Sequence, residues 1–100
     1  MRTNIFRYRF EASVPTGAIA TCLILAIWGC QALHGEVQTR LEVAFFYDPL
    51  RRAWEIETQG PVSRAFNCLF LGFLTRLVGQ SGFVLEQLVA EIPVDEEAAA

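Results

Sequence analysis

Residues 16–36 read TGAIATCLILAIWGCQALHGE, and no Asp, Glu, Lys or Arg occurs between Glu11 and Glu36. Such a run fits a buried helix of a small domain or a segment entering a membrane, whose spans need about 20 apolar residues. The flanks favour the first. Pro15, Thr16 and Gly17 stand where a helix starts, with Ser13 or Thr16 available as its N-cap. His34 and Gly35 stand where one ends, the imidazole beside the last carbonyls and the glycine as a left-handed cap. The strictly apolar part, Ala18 to Cys30, is only thirteen residues long and includes Thr21.

The preceding segment argues the same way. From Asn4 to Ala12, Phe6, Tyr8 and Phe10 alternate with Arg7, Arg9 and Glu11, the pattern of a strand with one face buried. A membrane leader has no use for that alternation. The competing reading takes residues 14–33 as a span or signal. Arg2, Arg7 and Arg9 then form its basic region, and Ile27, Trp28, Gly29 and Cys30 resemble the lipobox of bacterial lipoproteins, in which the Cys is lipidated. The departure from that motif falls at Trp28, where a small residue is usual, and Glu11 interrupts the basic region. The expectation is therefore a cytoplasmic domain, with membrane association as the alternative.

Downstream, Val37, Thr39, Leu41, Val43 and Phe45 alternate with Gln38, Arg40 and Glu42, which predicts a second strand. Asp48 and Pro49 signal a turn, and Trp54, Glu55, Ile56 and Glu57 resume the alternation as the return strand of a hairpin. After Gly60 and Pro61, the residues Val62, Ala65, Phe66, Leu69, Phe70, Phe73 and Leu77 recur at three- and four-residue spacing, the stripe of an amphipathic helix. Gly79 and Gly82 end it, and Phe83 to Ile92 is read as a final strand.

The order β-α-β-β-α-β resembles the ferredoxin-like arrangement, an α+β fold whose four-stranded antiparallel sheet carries two helices on one face. One domain is expected over residues 1–94, with a disordered acidic, alanine-rich tail over 95–100. In that arrangement Arg7, Arg9, Arg40, Glu42, Glu55 and Glu57 line the open sheet face, with Arg7 and Arg9 near Glu55 and Glu57. Such mixed charge is ordinarily solvated.

Composition narrows the function. Apolar residues make up 53% of the chain and charged residues 19%, against a usual apolar share of about 45–50%, so a domain this small must expose apolar surface. The formal net charge is −3, from eight Arg, no Lys and eleven acids, which gives no attraction for a phosphate backbone, and nucleic acid is not an expected partner. Arg without Lys is read as the mark of a GC-rich genome. The open face of the third strand also lacks the aromatics of RNA-recognition domains, carrying Glu55 and Glu57 instead.

Three Cys without a CxxC pair and a single His supply no metal site. Cys22 and Cys30 lie about 12 Å apart along one helix, at ~1.5 Å per residue, too far for a disulfide, and all three Cys, with Cys68, are expected as buried reduced thiols. No phosphate-binding glycine loop or nucleophile motif occurs. His34 is explained by its place at a helix end. Neither catalytic residues nor a cofactor are expected.

What remains is surplus apolar surface on the helix layer. With Ile19, Leu23, Ala26, Ile27, Cys30 and Leu33 facing inward, Ile24, Leu25 and Trp28 face out, joined by Leu71 and Leu74 of the second helix. These five residues are the expected interface, with Trp28 as its anchor, since Trp is enriched at binding hot spots. The expected partner is another protein or a second copy.

Overall fold

A computed structural model describes residues 2–91. In chain order its elements are β1 (Arg2–Phe10), α1 (Thr16–His34), α2 (Glu36–Glu42), β2 (Ala44–Asp48), β3 (Ala53–Thr58), α3 (Pro61–Leu77), a 3-10 turn (Gln80–Gly82) and β4 (Phe83–Glu91). The chain is α+β, with a four-stranded, wholly antiparallel open sheet of order β2-β3-β1-β4 and three helices. The expected tail over 95–100 lies outside the described residues.

β1 is paired on both sides, Tyr8 facing Trp54 of β3 and Leu85 of β4. Its alternation sends Tyr8 and Phe10 into the core and Arg7 and Arg9 to the other face, as the period of two requires. The core gathers Tyr8 and Ile56 from the sheet, Ile19, Cys22, Leu23, Ala26 and Cys30 from α1, and Phe66, Phe70 and Leu74 from α3. The Tyr8 ring meets Phe70 edge-on at 4.9 Å between centroids, and Phe66 stacks between Phe70 and Phe45. The Tyr8 hydroxyl, carried into this apolar layer, donates a 2.5 Å hydrogen bond to Asn67 Oδ1 on α3. Burial demands such a partner.

Local chemistry sets the helix ends. The Pro15 carbonyl accepts the first bonds of α1, from Ala18 N at 3.1 Å and Ile19 N at 3.4 Å. Pro15 itself is the N-cap, in place of the expected Ser13 or Thr16, and no side chain caps the end. Gly35, at φ +88°, closes α1 with its N–H on Gln31 O. α3 starts with Pro61 in its first turn and the Ser63 hydroxyl accepting from the Gly60 and Gln59 N–H groups. At Gly29 a Cβ would come within 2.8 Å of a terminal methyl of Leu69, so any side chain there would have to displace the end of Leu69.

The strand expected from Val37 to Phe45 is instead helix α2 followed by β2, which begins at Ala44. The segment satisfies both periods, and helical four-residue partners decide it. Arg40 pairs with Glu36 at 2.7 Å, Gln38 donates to Glu42 at 2.5 Å, and the Thr39 hydroxyl donates to Gly35 O at 2.8 Å while Thr39 is buried. Glu36 in the first turn and Arg40 in the last also suit the helix dipole. In consequence Val37 and Leu41, placed in a strand by the alternation, are exposed. On α1, Cys22 joins the core, whereas Leu33, expected to face inward, is exposed.

Burial, and secondarily the Cys68 thiol, push the Tyr8 hydroxyl well above the ordinary phenol range. A raised pKa means that the native state keeps this proton longer than the unfolded chain. The contribution is therefore intact below the unfolded value of about pH 10 and declines as the pH rises beyond it. Tyr8→Phe, which leaves Asn67 Oδ1 without its donor, is expected to lower the unfolding free energy by about 1–3 kcal/mol at neutral pH and to flatten the alkaline decline. Urea titrations at pH 7 and above pH 10 check both, and an unchanged midpoint at pH 7 would show that the hydrogen bond contributes nothing net.

Candidate interaction surface

α1 is amphipathic by position and not by composition. Ile19, Cys22, Leu23, Ala26 and Cys30 occupy its inner face. At 100° per residue the opposite face carries Gly17, Thr21, Ile24, Trp28 and Ala32, all exposed and none charged. Trp28 is 62% exposed and Ile24 46%. The one polar side chain of this stripe, Thr21, donates its hydroxyl back to Gly17 O at 2.9 Å, so it presents its methyl group outward without a free donor.

Of the five expected interface residues, Ile24 and Trp28 form the exposed centre, and Leu25 is half-buried on the flank. Leu71 is half-buried and packs against the core. Leu74 is fully buried and is corrected from interface to core. The inward row of α3 is Val62, Phe66, Phe70 and Leu74, a strict four-residue spacing, which turns Leu77 out to solvent. Cys68 stands opposite this row and is exposed, contrary to the expectation of three buried thiols.

On the other side of the sheet, Arg7 pairs with Glu55 at 3.0 Å, directly across the β1–β3 register. Arg9 lies opposite Ala53 on that side and pairs instead with Glu86 of β4 at 2.9 Å. Glu57 accepts from Gln59 at 3.2 Å. Arg40 and Glu42, expected on this face, belong to α2, for the reason given above. The face is a ladder of paired charges in which Arg7 and Arg9 each already have a carboxylate, leaving these two with little affinity for an added ion.

A cleft of about 320 Å³, unanticipated from the sequence, lies between the first turns of α1 and the β2–β3 hairpin. Its walls include Gly17, Ala20, Tyr47, Trp54 and Arg52. Tyr47 and Trp54 lie against each other at 4.7 Å between centroids. Arg52, at φ +49°, uses Nη2 to bond the Glu11 and Val14 carbonyls at 3.3 and 3.1 Å and so ties the hairpin to the β1–α1 loop. The signal available in the sequence was the aromatic run Phe45, Phe46, Tyr47 beside Trp54, more than one face of an edge strand can bury.

His34 is exposed at the end of α1, and among the described residues no group of three or more His, Cys, Asp or Glu could hold a metal. Burial pushes the Cys22 and Cys30 thiols up from their ordinary value, which suppresses their reactive thiolate. At pH 8 one thiol of the three should react rapidly with a disulfide reagent, and Cys68→Ser should leave none until denaturant is added. Rapid reaction of two or three in the native protein would contradict this packing. No protein-family model matches the chain, and no match is found among curated proteins or solved structures.

Proposed function

We propose that this chain is a small non-enzymatic interaction module, a ferredoxin-like sandwich with α2 as an added helix, that docks a protein partner or a second copy through the outer face of α1. The observation that carries the reading is Trp28, a large aromatic side chain 62% exposed at the centre of a charge-free helix face whose opposite side is core. Large apolar surface that a fold leaves open marks a contact site, and Trp is the residue type most often found at its energetic centre. The strand order and the two long helices on one side of the sheet support the ferredoxin-like assignment.

The second reading is membrane attachment in place of a cytoplasmic location. Thr16–His34 has the length and hydropathy of a span, and only 28% of its most apolar window is buried in the fold. Against insertion stands the cost of withdrawing Ile19, Cys22, Leu23, Ala26 and Cys30 from their contacts with Tyr8 and Phe70. Each buried aliphatic side chain lost from a core costs about 1.5–3 kcal/mol. A docking surface uses the outer face and leaves that core intact.

The test is the native size of the chain in extracts of cells expressing it. The wild-type chain should be soluble without detergent and travel in an assembly larger than its 11.2 kDa. Trp28→Glu should travel as the free chain with unchanged circular dichroism. Identical sizes for the two would remove the helix-layer reading, and recovery only in detergent would favour the membrane.

A further inference from the structure

Resting on that docking surface, we propose that the partner is a second copy of the chain. The two α1 helices cross antiparallel about a two-fold axis beside Ile24, and Trp28 of each copy seats in the cleft of the other. The observation behind this is that the knob and the hole lie along the same helix, the hole on the flank that turns from the outer face towards the hairpin. Trp28 projects from its C-terminal half, while the cleft opens beside Gly17 and Ala20 in its N-terminal half.

In a two-fold pair, residues equidistant from the axis face each other. Trp28 of one copy then stands over Ala20 of the other, Ile24 over Ile24, and Ala32 over the Thr16–Gly17 turn. The small residues on one half thus meet the large residue on the other half twice over. A parallel pair would set Trp28 against Trp28 and leave both clefts empty.

The chemistry of the cleft fits an indole. Tyr47 and Trp54 supply aromatic walls, Ala20 and Gly17 supply room, and the Arg52 guanidinium supplies a cation for a π face. The charges at the two ends of the helix are also complementary. At the N-terminal end stand Glu11 and Arg52, the guanidinium held on the Glu11 and Val14 carbonyls. At the C-terminal end stand Glu36 and Arg40. Antiparallel pairing brings Glu36 towards Arg52 and Arg40 towards Glu11, and it also opposes the two helix dipoles. The stripe between these ends carries no charge and no free donor, so nothing polar is stranded when it is covered.

The test uses the purified full-length chain. Light scattering should give twice the mass of the chain at micromolar concentration. Trp28→Glu, which removes the knob, and Ala20→Phe, which fills the hole while leaving Trp28 in place, should each return the mass to that of one chain. Orientation is read by cross-linking in a Cys68→Ser background. Gly17→Cys, where an added Cβ meets nothing within 4 Å, is mixed with Ala32→Cys under mild oxidation. Antiparallel pairing predicts disulfide-linked dimers in the mixture and almost none in either variant alone, because each position lies far from its own symmetry mate.

A monomeric wild-type chain would overturn the proposal, as would like-with-like cross-links forming as readily as mixed ones. If the pure chain is monomeric but the Trp28-dependent assembly in extracts remains, the partner is a different protein and the docking reading survives alone. If the pure monomer instead sediments with phosphatidylcholine vesicles through Trp28, the occupant is a lipid surface and the second copy is ruled out.

Discussion

Everything in this molecule depends on β1 lying in the middle of the sheet. All nine of its residues pair with β4 and Asn4 to Arg9 also pair with β3, so removing them would divide the sheet into a hairpin and an isolated strand. Because a strand alternates, this central place also fixes where Tyr8 goes, and Tyr8 fastens the sheet to α3 through Asn67 and Phe70. A chain that keeps residues 2–10 in the sheet has to bring the following apolar segment back over that sheet. The constraint on β1 is therefore also the reason α1 is a core helix.

A core helix in a two-layer sandwich needs only one apolar face. α1 has apolar or uncharged residues all round, and burial of its inner face leaves Ile24 and Trp28 in solvent. Exposed apolar area of this kind gains nothing for the isolated fold, and in water it favours association. The opposite surface has the reverse character. There the Arg7–Glu55 and Arg9–Glu86 pairs satisfy one another across the strands, contribute modestly to pairing and leave a face suited to solvent. The two sides of the domain thus differ in character, with a ladder of paired charges on one and uncharged, exposed apolar residues on the other.

Much of this was legible in the residues. The alternation in β1, the punctuation of α1 by Pro15 and Gly35 and the turn at Asp48–Pro49 are each strong local signals, and the structure places elements where they point. The segment from Val37 to Val43 misled because Val, Thr and Leu at every second place also fall four apart at Val37 and Leu41. The tie was broken by side-chain pairs, Glu36 with Arg40 and Gln38 with Glu42, whose spacing suits a helix. Leu74 was misplaced because the α3 stripe is broad enough in sequence to be turned through one position, and only packing against Tyr8 and α1 fixes the rotation. Trp28 and Ile24 were visible as surplus apolar residues. The cleft was not, since it arises where the β2–β3 hairpin meets the first turn of α1, and the aromatic run from Phe45 to Tyr47 signals only one side of that tertiary junction. The partner of Arg9 was hidden for the same reason, because the register of β4 on β1 is set by the whole sheet.

The central claim, that the first strand and the apolar helix after it form one cooperative core, is tested most directly by native-state hydrogen exchange on the full-length chain in detergent-free buffer. The account predicts that the amides of Ile5 to Arg9 and the inner turns of α1 are among the slowest to exchange. They should open together with α3 in a single global event. Exchange of the β1 amides at the rate of an unstructured chain, with α1 protected only when detergent is present, would contradict it and make residues 16–34 a membrane segment rather than the centre of a folded domain.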